Sequence, residues 1–319
     1  MSAVSVALVF AVVLGLTLVA APLLIRSLRR SGIRQRAYED APKTHATKSG
    51  TPTMGGILFL VATMVALIAN HDVGAVALAV LALACGAIGF ADDLLAVHGR
   101  SIRGLRARTK FLATACAGAL FLYLLTRFAA GPHERSLLLL GSLRLDAPEW
   151  LWLLVGLCAI VATTHAVNLT DGLDGLAGGA IVPPLIVVAW LAARVGQFGV
   201  TTIDVATVAA CLGFLAYNRH PAKVFMGDTG ALALGGILAG SFVIAGNVLL
   251  LPLIGGVFAA ETISVILQVA SYKTTHRRIF RMSPLHHHFE LAGWPETTVT
   301  WRFWAASAVL SIAGAVVAR

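Results

Sequence analysis

Five aspartates and a run of three histidines carry most of the chemistry open to this chain. Asp92 and Asp93 are adjacent. Asp171 and Asp174 lie three apart in Asn168-Leu169-Thr170-Asp171-Gly172-Leu173-Asp174-Gly175, and Asp228 follows Asn218-Arg219-His220-Pro221-Ala222-Lys223-Val224-Phe225-Met226-Gly227. Carboxylates gathered beside Lys and Arg are the donor set with which Mg²⁺ bridges a protein and a pyrophosphate. Each acid also has a plainer reading. Neighbouring residues on a helix project about 100° apart, so Asp92 and Asp93 cannot both face one site squarely, and one is free to cap or to meet water. Asp171 and Asp174 could share a helical face, or one could cap the next helix, although the second Asp and Asn168 exceed that need. Asp228, at the start of an apolar run, suits either a helix cap or a metal that recruits phosphate near the positive helix end. Spacing alone leaves both open.

Of ten histidines only His286-His287-His288 cluster. Consecutive side chains diverge on a helix, which makes three zinc ligands from this run awkward. One ring reaching the reaction centre as a donor to phosphate or sugar, with the others packing or binding backbone, fits better. His45 reads as a solvated loop residue or a phosphate contact, and Lys48 as a phosphate ligand or a cytoplasmic-side anchor. Glu261 falls inside an apolar run, where an ionisable group is a functional hypothesis by its depth; a pin between two helices is the alternative, and its role stays open here.

The elements that position these groups must live in lipid. The 319 residues are 58% hydrophobic and 12% charged, against about a quarter charged in soluble domains. Apolar blocks long enough to cross a bilayer lie near 5–25, 53–70, 74–91, 110–127, 150–167, 176–194, 202–217, 230–246, 249–270 and 302–318. The first lacks a basic leader and an evident cleavage site, so it reads as a retained span. Pro52 fits the opening of the second. Only Gly246-Asn247 punctuates the run between the eighth and ninth, and Pro252 with Gly255-Gly256 could bend the ninth and leave an apolar channel beside it. Residues 128–149 form the longest outer loop, with room for a small surface hairpin around Leu137 to Leu145.

Nineteen of the 24 Lys and Arg residues fall in the stretches after spans 1, 3, 7 and 9, which makes those loops cytoplasmic and both termini outside. The prediction is one all-α polytopic membrane domain over residues 1–319, with about ten transmembrane helices and a cytoplasmic active site holding all five aspartates. The formal charge of +9 follows from loops beside anionic lipid and calls for no nucleic acid. Cys85, Cys116, Cys158 and Cys211 lie in apolar blocks without paired spacing and read as small hydrophobes.

Five segments carry a resemblance over essentially the full length: Gly50 to Gly56 (GTPTMGG), Phe90 to Asp93, Asn168 to Ala177, Asn218 to Asp228 and Pro284 to Glu290 (PLHHHFE). Together they resemble the bacterial phospho-N-acetylmuramoyl-pentapeptide transferases of the polyprenyl-phosphate N-acetylhexosamine-1-phosphate transferase superfamily. The first and last segments distinguish this branch from relatives that transfer other amino-sugar phosphates. The resemblance implies a Mg²⁺-dependent transfer from UDP-MurNAc-pentapeptide to undecaprenyl phosphate, releasing UMP, in peptidoglycan synthesis at the cytoplasmic (inner) membrane of a bacterium, often by a homodimer. It further implies Asp228 as the Mg²⁺ ligand, Asp92 as the acid that accepts a proton from the lipid phosphate, Asp93 as its essential neighbour, and His286 with Asn218 lining the cleft. Asn168, Asp171 and Asp174 would shape the nucleotide side, Lys48 and Lys110 would hold phosphates, and His45, His287 and His288 would bind substrate. The chain departs from the family pattern at Ala96, where a lysine is common three positions after the second Asp; His98, Arg100 or Arg103 would have to compensate. Two other functions remain on the sequence alone: transfer of N-acetylglucosamine-1-phosphate or a related sugar phosphate, and secondary transport, which predicts ionisable groups at mid-membrane and internal repeats.

Overall fold

A computed structural model describes residues 3–34, 50–98, 104–128, 136–140 and 143–319. Each expected apolar segment contains helix. The first five hold α1 (Ala3–Arg30), α2 (Ile57–Ala69), α3 (Val73–His98), α4 (Ala107–Phe128) and α5 (Glu149–Thr170). The sixth divides into α6 (Leu176–Ala180) and α7 (Val182–Arg194), and α8 (Phe198–Asn218) and α9 (Gly227–Ile244) follow. A 3-10 turn at Val248–Leu250 and α10 (Leu251–Ile254) precede α11 (Gly256–Thr275); α12 (Leu285–Leu291) and α13 (Glu296–Val317) complete the chain. In the long loop, β1 (Ser136–Leu140) pairs antiparallel with β2 (Leu143–Asp146), Ser136 opposite Asp146, which is the small hairpin expected there.

Among the described residues, eight helical segments are long and apolar enough to cross a bilayer, and the broken pair around Gly255 makes a ninth if taken as one span. α2, with 13 residues, is shorter than the span expected over 53–70. The cause is local. The amides of Gly55 and Gly56 donate to Phe225 O at 2.8 Å and Met226 O at 2.9 Å, and Phe225 N–H donates to Pro52 O at 2.8 Å. Pro52 therefore joins a backbone ladder with the α8–α9 loop, and the helix starts four residues later than expected. Val4, Leu8, Val19, Ile68, Val309 and Ile312 point outward from their helices. Such surface is unfavourable in water and neutral against lipid tails, so the architecture is that of a multi-pass membrane protein.

α9 is the axis of the bundle: every residue from Thr229 to Ile244 is buried. Its small side chains let α3 and α5 approach closely, the usual device for helix association in lipid. At Gly89 of α3 a Cβ would lie 2.1 Å from the Asp228 carbonyl oxygen, so only glycine lets the end of α3 cross the start of α9. That crossing brings Asp92 and Asp93 to Asp228 across more than a hundred residues of sequence.

The ninth segment bends by 82° where α10 gives way to α11. Pro252 lacks an amide donor, and Gly255, whose N–H donates to Leu251 O at 2.8 Å, closes the first helical piece. The bend opens an apolar cavity of about 370 Å³ among α5, α9 and α11, with Val155, Ala166, Leu238, Val248, Pro252 and Phe258 in its wall.

Candidate active site

α9 begins on Gly227 in the left-handed conformation, φ +68°, and its first amides have no partner within the helix. Asp93 supplies one from α3. Its Oδ1 accepts Asp228 N–H at 3.1 Å, and its Oδ2 accepts Thr229 N–H at 3.0 Å and the Thr229 hydroxyl at 2.7 Å. The cap thus comes from another helix, and Asp228 keeps its own carboxylate for other partners.

Those partners converge from three further elements. Asn168, at the end of α5, donates through Nδ2 to Asp228 Oδ1 at 2.7 Å. Lys110, in the first turn of α4, pairs with Asp228 Oδ2 and reaches Asp92 Oδ2 at 3.1 Å. The other oxygen of Asp92 accepts Leu105 N–H at 2.7 Å, which folds the α3–α4 connection back over it. The side chains of Asp92, Lys110 and Asp228 are 10%, 15% and 22% exposed, so the cluster is recessed but open. One ammonium between two carboxylates leaves a negative charge uncompensated, a costly arrangement at this depth unless a further cation or a proton shares it.

Asp174 lies in a second network with His220, whose side chain is 44% exposed, and Glu296, the three offering donor atoms within 4.8 Å of one another. The residues from 171 to 175 form a turn, interrupted by Gly172 and by Gly175 at φ +74°, so Asp171 and Asp174 do not share the helical face the spacing suggested. Asp174 Oδ2 takes His220 Nδ1 at 3.1 Å and Ala222 N–H at 3.0 Å, and its own amide donates to Glu296 Oε1 at 2.7 Å. Asn218 spans the same region: Oδ1 accepts Gly175 N–H at 3.1 Å while Nδ2 donates to Val224 O at 2.9 Å, and the side chain is buried instead of lining a cleft. Asp171 caps the end of α5, its amide bonded to Asn168 O at 3.3 Å.

The three histidines part company on α12. His286 is buried against Glu261, His287 Nδ1 meets Glu290 Oε2 at 2.7 Å, and His288 Nδ1 accepts Arg281 N–H at 3.1 Å. His45, Lys48, Arg100 and Arg103 lie outside the described residues, as does the His98 side chain. Sequence reasoning passed over two residues, one in the Asp174 network and one beside α4. Glu296 ties α13 to the 171–175 turn, its only signal being an acid just after Pro295. His165 stacks on Phe111 at 4.1 Å between ring centroids, with Nε2 3.1 Å from Thr114 Oγ1; its signal was a polar residue one turn before Asn168.

The segments that build these contacts are also those by which the chain compares with known proteins. The profile of glycosyl transferase family 4 matches residues 75–246, over half of the chain, and the phospho-N-acetylmuramoyl-pentapeptide-transferase signature 1 matches residues 48–60. A protein of Desulforamulus reducens named phospho-N-acetylmuramoyl-pentapeptide-transferase is 46% identical, over 93% of this chain and 91% of its own length. The chain belongs to the phospho-N-acetylmuramoyl-pentapeptide transferase family. Members from Heliobacterium modesticaldum and Frankia alni, both bearing that name, are 45% and 40% identical over 97% and 93% of this chain. Within this family member, the signature segment is the one whose Pro52, Gly55 and Gly56 clasp the α8–α9 loop just ahead of Asp228.

Proposed function

We propose that this chain transfers phospho-N-acetylmuramoyl-pentapeptide from its UDP-linked donor to undecaprenyl phosphate, giving undecaprenyl-pyrophosphoryl-MurNAc-pentapeptide and UMP for peptidoglycan synthesis, on the cytoplasmic face of a bacterial inner membrane. The observation that carries the reading is the Asp92–Lys110–Asp228 cluster at the ends of three helices. Its charges suit a metal-bound diphosphate, and membership of the family supplies the substrate class.

The donor set also suits Mg²⁺. Carboxylate oxygens of Asp228 and Asp92, with the side-chain carbonyl of Asn168 after a change of partner, are hard oxygen ligands of the kind this ion takes. When bound, Mg²⁺ would neutralise charge on the pyrophosphate and hold the leaving UMP oxygen. Lys110, displaced from one carboxylate, pairs with a phosphate oxygen. An oxygen of the lipid phosphate attacks the phosphorus attached to the sugar, and the bond from that phosphorus to the bridging UMP oxygen breaks. The acceptor phosphate has a second pKa near 6 and is largely ionised at neutral pH, so Asp92 serves mainly to orient it, with alignment and charge carrying the reaction.

The acceptor's hydrocarbon chain is assigned to the cavity beside the bent segment. Its wall follows one face of α5 as far as Ala166, about 3 Å along the helix from Asn168, so a lipid lying there ends close to the level of the cluster. The positive charge of the loops after spans 1, 3, 7 and 9 supports the cytoplasmic orientation.

The test is UMP release by the purified protein given undecaprenyl phosphate, Mg²⁺ and either UDP-MurNAc-pentapeptide or UDP-GlcNAc. Turnover is expected with the muramoyl donor alone and should stop on chelation and return with Mg²⁺. Turnover with UDP-GlcNAc instead would assign a different sugar phosphate, and a phosphorylated aspartate formed at a competent rate from donor alone would replace direct attack by a two-step route.

A further inference from the structure

Glu261 is fully buried in the second turn of α11, whose one other charged residue is Lys273 near its far end, and the acid–lysine cluster makes no use of it. Its carboxylate is instead occupied by the start of α12. Oε2 accepts Leu285 N–H at 2.6 Å, while Oε1 accepts His286 N–H at 3.2 Å and lies 3.0 Å from His286 Nδ1. A helix cap needs only the two amides. The third contact goes further: both oxygens already accept backbone amides, which makes Oε1 the acceptor and Nδ1 the donor of the pair.

That fixes the rest of the ring. In the neutral imidazole with Nδ1 protonated, Nε2 is a bare acceptor, and among the described residues this buried atom has no hydrogen-bond partner. The opposite tautomer would strand an N–H there, which costs more than an unused lone pair. The ring edge that bears Nε2 rests on Gly172: a Cβ built at that residue would lie 2.2 Å from it. Gly172 belongs to the turn that continues from Asn168, the residue bonded to Asp228, to Asp174.

We propose that Glu261 is a positioning residue: it holds His286 as the Nδ1–H tautomer, with the Nε2 edge seated beneath Gly172, so that the ring sets the 171–175 turn against which the nucleotide-linked donor binds. The acid on α11 thereby acts on the donor side of the site, although α11 itself lines the cavity assigned to the lipid. This inference rests on the transferase reading for its kinetic consequence but not for the tautomer.

The test uses the full-length protein in detergent. The ¹⁵N spectrum of histidine-labelled protein, with His286→Asn to assign the resonance, should show His286 protonated at Nδ1 and bare at Nε2, and Glu261→Gln should abolish that pattern because its amide turns an N–H toward one of three donors. In steady-state kinetics Glu261→Gln should raise KM for the nucleotide donor about tenfold, as expected for loss of a hydrogen bond to a charged group, and leave KM for polyprenyl phosphate unchanged. Loss of folded protein alone would lower the apparent kcat and move neither KM. Gly172→Ala, which pushes on the same ring from the other side, should give the same change, and the double variant should be no worse than the poorer single one. A different tautomer in the unsubstituted protein, an unchanged donor KM in Gly172→Ala, or multiplicative effects in the double variant would each overturn the proposal. If Glu261→Gln does not fold, the spectrum of the unsubstituted protein and the Gly172→Ala kinetics still decide. If the unsubstituted protein releases no UMP, the transferase reading fails while the spectrum still judges the tautomer.

Discussion

Asp228 and Asp174 come from neighbouring segments of the same half of the molecule, yet the structure treats them in opposite ways. Asp174 is 3% exposed and is tied to a backbone amide and an imidazole, while its own amide binds Glu296. Asp228 has a side chain 22% exposed, and its partners are the long side chain of Lys110 and the amide of Asn168, both able to swing to another ligand. The difference teaches where to look for chemistry among buried acids. A carboxylate whose lone pairs are used by fixed backbone donors is scaffold, and one held by mobile, charged side chains at an opening is available. Asp93 falls with Asp174 by this measure, since both its oxygens close the start of α9, and Asp92 stands between the classes, with one oxygen on Leu105 N–H and the other on Lys110.

Substitutions should separate the two classes. The largest effect belongs to Asp228→Asn, which keeps the size of the group and the bond to Lys110 but removes the charge; turnover should fall about a thousandfold, the scale seen when a site loses an electrostatic stabiliser, with the melting temperature little changed. Turnover near that of the unsubstituted protein would end the assignment of Asp228 as the central acid. Asp93→Asn should show the reverse balance. Its amide would face N–H groups that now meet oxygen, so thermal unfolding in detergent should report a loss of about 1–2 kcal/mol, as for a removed cap, alongside any loss of activity. Equal stability would return Asp93 to the reactive class.

The cavity beside the bend gives a smaller, more selective effect. Ala259→Trp adds bulk to its wall and should raise KM for the polyprenyl acceptor about tenfold, within the range that overfilling costs, while donor KM stays put. A change in donor KM instead would move the lipid elsewhere. The smallest effect should come from Ser241→Ala, which removes the 2.7 Å bond to Asp204 in the interior of α8 and α9. Stability should drop by about 1 kcal/mol and kcat should not change, because this polar pair lies far along α9 from Asp228.

Much of this arrangement is legible in the sequence because lipid imposes simple rules. Runs of apolar residues marked all the helical segments except α12, which lies in the last loop, and Pro252 with Gly255-Gly256 marked the bend. The lengths were less legible. Backbone pairing of Gly55 and Gly56 with a loop some 170 residues away shortens α2, and hydropathy is blind to such pairing. Within the site, the adjacent aspartates had to diverge by helix geometry, but which of them would cap α9 depended on the crossing at Gly89, a tertiary fact. The triplet of histidines was conspicuous, whereas the partner that orders its first member, Glu261, carried only the signal of an acid in an apolar helix. Glu296 and His165 carried weaker signals still, since their importance arises from what the fold lays beside them.

The central claim is that one metal-binding centre forms where α3, α4, α5 and α9 meet and that the Asp174 network is no part of it. Titration with Mn²⁺ as a paramagnetic stand-in for Mg²⁺, followed by the loss of the free-ion electron paramagnetic resonance signal, addresses it directly. One bound ion per chain is predicted for the unsubstituted protein and for Asp174→Asn, with binding lost in Asp228→Asn. Binding that survives in Asp228→Asn and disappears in Asp174→Asn would contradict the account.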